Sequence, residues 1–130
     1  NRIAAGVRLQ RGPRPFGIYT IPEVSMVVAT EEELTAQKVP YELGHAFYRE
    51  TARAQIMGDT EGMLKLIFHR ETLQLLGVHV IGERATELIY AGQAVIAYNG
   101  TIEYFIDNVV NYPTLSEAYK IAALNGYNRL

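Results

Sequence analysis

The stretch Met63-Leu64-Lys65-Leu66-Ile67-Phe68-His69-Arg70-Glu71-Thr72-Leu73-Gln74-Leu75-Leu76-Gly77-Val78-His79-Val80-Ile81-Gly82 decides the fold. Leu64, Leu66 and Phe68 alternate with Met63, Lys65 and Ile67, the two-residue period of a strand with one buried face. Arg70, Glu71 and Thr72 make a tight turn, and Leu73 to Ile81 supplies a second strand. Two such runs around a short polar turn predict an antiparallel hairpin. At Gly82 the period changes. Ala85, Leu88, Ile89, Gly92, Val95 and Ile96 fall at i, i+3, i+4 and i+7, so a helix with one apolar face runs to about Tyr98. Asn99 and Gly100 stop it, because both tolerate a left-handed backbone.

Toward the N-terminus, Glu23 to Ala29 reads as a largely buried strand. Thr30 and Glu33 stand at capping-box spacing and open a short helix that ends near Lys38, before Pro40. Tyr41 to Tyr48 reads as another strand, and Gly58 to Gly62 as a turn. Residues 1–22 read as irregular, punctuated by Gly12, Pro13, Pro15, Gly17 and Pro22, apart from a short helix around Arg2 to Leu9. Toward the C-terminus, Thr101 is expected to cap a helix through Phe105. Thr114 to Leu124 is expected to form the final helix, with Thr114 and Glu117 closing a capping box and Asn125-Gly126 ending it. Antiparallel strands followed by helices give an α+β fold, an antiparallel β-sheet with helices on one face.

The composition excludes several classes of function. The formal net charge of −2 creates no basic field for nucleic acid or anionic lipid. No apolar run reaches the roughly 20 residues that span a bilayer as a helix. With no cysteine, the chain has no disulfide, thiolate metal site or thiol nucleophile of its own, which fits a reducing compartment. No G-x-G-x-x-G or G-x-x-x-x-G-K-[ST] loop is present, so no dinucleotide or phosphate cradle is expected here. His45, His69 and His79 lack the spacing of a helical metal site. His79, between Val78 and Val80, reads as a satisfied core or interface histidine, and Glu87 as a boundary carboxylate. Nine tyrosines suit a half-buried rim, whether against the chain's own core or against a partner.

Three ordered segments carry a family resemblance: Tyr19-Thr20-Ile21-Pro22-Glu23-Val24-Ser25, Leu75 to Gly82 followed by Ala85 and Glu87, and Tyr112 to Ala122. Together they resemble the dimerisation domain of the pyridine nucleotide–disulfide oxidoreductase superfamily over residues 17–130. The resemblance implies that residues 1–22 are a connector from a missing upstream nucleotide-binding region, and 23–130 a C-terminal dimerisation domain. It implies a cytoplasmic homodimer joined to upstream FAD- and NAD-binding domains. FAD is then held mainly elsewhere, NAD and NADP are substrates of the longer enzyme, and neither metal nor membrane is involved.

Disulfide reductases of this family carry a histidine where this chain has Tyr112. A phenol titrating near 10 is a poor proton shuttle for a thiol. The resemblance therefore implies hydride passing between NADPH and NAD+ through the flavin, with no catalytic residue in this chain. In the family the tail turn reaches the partner's flavin, so Tyr112 and Pro113 become the candidate cofactor contacts. A cis Tyr112–Pro113 bond is compatible with an aromatic-Pro pair. Two alternatives remain: a stand-alone homodimeric interaction module, and the interface domain of a disulfide or mercuric reductase. For the second, this chain has no cysteine pair of the kind a mercuric reductase carries near its C-terminus.

Overall fold

The computed structural model describes residues 13–130. The expected helix at Arg2 to Leu9 lies outside them. Five antiparallel strands form one sheet: β1 (Pro15–Ile18), β2 (Val24–Val28), β3 (Tyr41–Phe47), β4 (Gly62–His69) and β5 (Leu75–Gly82), in the order β1-β2-β5-β4-β3. The helices are α1 (Glu31–Ala36), α2 (Ala52–Met57), α3 (Ala85–Ala97), α4 (Glu103–Asp107) and α5 (Glu117–Tyr127).

The hairpin forms as its pattern dictates, with Leu66 opposite Val78 and Leu64 opposite Val80. A register shift at Ile67/Phe68 keeps Phe68 and Leu75 on the core side. The core lies between the sheet and the later helices, with α3 over β5 and β2, and α5 over β3 and β4. Leu64, Leu66, Phe68, Val78 and Val80 meet Ala85, Ile89, Ala118 and Ala122 there. Helix α1 crosses the opposite face, where Glu31 pairs with Lys65 and Leu34 is buried.

Local chemistry explains several boundaries. At α1 the Thr30 hydroxyl accepts from Glu33 N–H at 3.3 Å, and the Glu33 carboxylate accepts from Thr30 N–H at 2.9 Å. Helix α3 has no capping side chain at Arg84, because a distant residue supplies one. The Glu23 carboxylate accepts from Thr86 N–H at 3.1 Å and Thr86 Oγ1–H at 2.7 Å. Those hydrogen bonds hold the Glu23 carboxyl below its usual range.

Three expectations need correction, and one segment with no expected element is helical. Residues 15–18 are an edge strand rather than irregular chain, tied down by the Ser25 hydroxyl donating to Phe16 O. Pro15 is tolerated there because an edge strand leaves some N–H positions unused. Thr51–Met57, given no helix by the sequence reading, holds α2, with Thr51 Oγ1 accepting from Ala54 N–H. Thr101 does not cap α4; it bridges to Gln74, while its hydroxyl donates to Glu103. Asn125 and Gly126 do not end α5, which continues to Tyr127. The Asn125 side chain instead accepts from His45 N–H on β3, and Gly126 allows α5 to approach Phe68 and Gly44.

His45, Lys65 and His79 are neighbours across β3, β4 and β5 on the face that α1 partly covers. Burial holds His45 below its ordinary value, helped by the charges of Arg129 and Lys65 and opposed by Glu31. Burial does the same for His79, opposed by the Ala29 carbonyl that faces its Nε2 and by Glu31 and Glu32. Both imidazoles therefore take up protons more readily in the unfolded chain. Their contribution to stability is complete above the unfolded value of about 6.5 and is lost as pH falls through it toward the folded values. The thermal midpoint is expected to drop between pH 7.5 and 5.5; a midpoint that stays level or rises there contradicts this account.

Candidate functional site

The tail turn joins α4 to α5 and is built around a buried anchor. Leu115 sits in the core, while Tyr112 next to it along the turn is 75% exposed. The Tyr112–Pro113 peptide is cis. Thr114 Oγ1 donates to Asn111 O at 2.7 Å and so closes the turn on itself. The capping box expected at Thr114 and Glu117 does not form. The Glu117 N–H donates to the Thr114 carbonyl at 3.4 Å and not to its hydroxyl, and helix α5 begins at Glu117 with no side-chain cap. Glu117 Oε2 is buried without a hydrogen-bond partner among the described residues.

Two clefts flank the turn. One, of about 380 Å³, is lined by Pro113, Thr114, Ser116, Arg53, Arg84 and Glu87. Glu87 is solvent-exposed there, and Arg84 holds a left-handed backbone with φ of 59°. The other, of about 310 Å³, is lined by Tyr112, Glu117, Lys120, Ile121, Val109 and Leu124. Pro113, half-buried, lines the first cleft, and Tyr112, exposed, lines the second. Such a turn can lean on a flat ring brought from outside, but cannot enclose one.

No proton relay is assembled at Tyr112. His69 is occupied by its own turn, its Nδ1 accepting from the N–H groups of Glu71 and Thr72. His45 and His79 lie on the outer sheet face. Among the described residues no cluster of His, Asp and Glu is arranged to hold a metal ion, and no helix is long and apolar enough to cross a membrane.

A second surface emerges from α3. Its inner stripe of Ala85, Ile89, Gly92 and Val95 is buried as its spacing requires. Its outer face presents Tyr90, Ala91, Ala94, Ala97 and Tyr98 to solvent, with Tyr98 88% exposed. Ala91, Ala94, Gly100, Tyr98 and Tyr104 line a hollow of about 320 Å³. Sequence reasoning about the inner stripe missed this face. The available signal was a run of fifteen residues, Leu88 to Ile102, with no charged side chain. A helix face that meets only water normally carries charges.

The dimerisation-domain family of the pyridine nucleotide-disulphide oxidoreductases matches residues 14–123. The soluble pyridine nucleotide transhydrogenase of Hahella chejuensis is 60% identical over 119 residues, which cover 89% of this chain and 26% of that protein. The same-named protein of Pectobacterium carotovorum is also 60% identical, and 79% of its sequence is covered. The Marinomonas protein of that name is 57% identical and 26% covered. The chain thus spans about a quarter of the length of two of these relatives. Among solved structures, LpdA of Mycobacterium tuberculosis superposes with a TM-score of 0.84 at 25% identity, over 94% of this chain and 27% of that one. The flavoprotein disulfide reductase RclA of Escherichia coli gives 0.83 at 24% identity, over 88% and 26%, and supports the fold alone.

Proposed function

Because the chain belongs to the dimerisation domains of the pyridine nucleotide-disulphide oxidoreductases, we propose that it is the C-terminal dimerisation domain of an FAD-dependent soluble NAD(P)+ transhydrogenase. The longer enzyme moves hydride from NADPH to NAD+, and it resides in the cytoplasm. The names of the relatives support the reaction, and the exposed outer face of α3, free of charge from Leu88 onward, carries the structural half of the reading. That face packs against the same face of a second copy, as a twofold interface requires.

FAD and both nicotinamides are held by nucleotide-binding domains joined through the residues ahead of β2. This chain has no glycine loop to cradle a pyrophosphate. The residues present fit a contact rather than a binding site: Tyr112 and Pro113 lie against the partner's flavin. The flavin supplies the hydride acceptor and donor. Tyr112 and Pro113 orient the ring and exclude water from its edge. Tyr112, in place of an imidazole, suits hydride transfer and not thiol chemistry.

The experiment is Tyr112→Ala in the full-length enzyme. The flavin absorption bands are expected to shift and hydride transfer to slow by about tenfold, the scale of a displaced orienting group. Unchanged flavin affinity, spectrum and rate would overturn the contact.

A further inference from the structure

Tyr119 lies on α5, seven positions beyond Tyr112, and its ring is 2% exposed. The ring stacks on Phe105, with centroids 4.5 Å apart and planes 22° from parallel. Its hydroxyl donates to Leu88 O at 2.8 Å and accepts from Gly92 N–H at 3.1 Å. Those two backbone groups are the acceptor and donor that one rung of an α-helix pairs directly. The phenol thus stands between the two halves of a rung of α3. Residue 92 has no side chain to obstruct it: a Cβ there would lie 3.0 Å from the Tyr119 oxygen and 2.5 Å from Val78.

We infer that the Tyr119 hydroxyl is a positioning group that fixes the tail turn relative to the outer face of α3. One bond set joins the two surfaces that the proposed function uses. Gly92 adjoins Ala91 on the outer face, and Tyr119 lies in the first turn of the helix that follows Tyr112–Pro113. On the sheet side, α5 is pinned by the contact of Gly44 with Ala122 and Gly126. On the α3 side, the hydroxyl is its hydrogen-bonded tie. The inference rests on the proposed dimer for its consequence, but not for its geometry.

Tyr119→Phe removes only the oxygen and keeps the stacked ring. Amide NMR of this chain then reads the tie directly. The Gly92 amide is expected to shift as its N–H returns to Leu88 O, and the amides of Tyr112, Thr114, Leu115 and Ser116 are expected to shift with it. The dimer dissociation constant is expected to rise about tenfold, the scale of a coupling between two sites. Ile67→Val, which trims a buried side chain on the other face of the sheet, serves as the stability control and should leave both readouts alone. Shifts confined to Gly92 and its helical neighbours, with the tail amides unmoved, overturn the inference. So does a tail that moves equally in Ile67→Val, or an unchanged dissociation constant in a chain that dimerises. If the unaltered chain fails to dimerise, the proposed function fails, and the tail amides alone decide the tie.

Discussion

Gly44→Ala is expected to be the most damaging single methyl that this chain can receive at the sheet–helix contact. A Cβ on Gly44 would lie 2.0 Å from the carbonyl oxygen of Ala122, 2.9 Å from its carbon and 3.1 Å from Gly126 N. All three are backbone atoms, so no side chain can rotate away. Helix α5 must lift from β3, where a Cβ on Gly126 would itself lie 2.5 Å from the Phe68 ring and 3.1 Å from Gly44 Cα. Lifting it opens the packing of Ala118, Tyr119, Ala122 and Ala123, all buried. A cost of about 3 kcal/mol, at the upper end for an overpacked core, is a large share of the stability of a domain this size. Urea unfolding should show a lower midpoint at an unchanged slope. A midpoint equal to that of the unaltered chain would mean that α5 is not seated as described.

Ala94→Glu is expected to leave the fold intact and abolish the dimer. Ala94 is exposed in the single chain, and Glu is a good helix former, so stability should change by no more than about 0.5 kcal/mol. In a twofold pair the same substitution enters twice, on a face with no positive charge to meet it. Two desolvated like charges cost several kcal/mol, on the order of a thousandfold in the dissociation constant. The helical circular dichroism should be unchanged.

The legible parts of the fold were those set by neighbours in sequence. The β4–β5 hairpin and the inner stripe of α3 follow from side-chain period, and both formed with their expected faces. The two T-x-x-E patterns show where that logic stops. Thr30 and Glu33 make the full capping box. Thr114 and Glu117, at the same spacing, make none: helix α5 starts only at Glu117, and the Glu117 N–H donates to the Thr114 carbonyl at 3.4 Å rather than to its hydroxyl. The edge strand β1 escaped notice for a related reason. All four of its residues are exposed, so no alternation marks it.

Other features depend on partners distant in sequence. Glu23 caps a helix 63 positions away, and the Tyr119 hydroxyl meets Gly92 across 27. Gly126 looked like a helix stop and serves instead as a close-approach residue. For the candidate site, Tyr112 and Pro113 could be named only through the family resemblance. The turn's exposure and its position between two clefts came from the structure. The outer face of α3 was visible in the sequence as missing charge, a signal that attention to the buried stripe obscured.

The central claim is that this domain joins two copies through that face. Sedimentation equilibrium of the unaltered chain beside Ala94→Glu tests it most directly. A concentration-dependent dimer is expected for the unaltered chain and a folded monomer for the variant. A strictly monomeric unaltered chain, or a variant that dimerises as tightly as its parent, would contradict it.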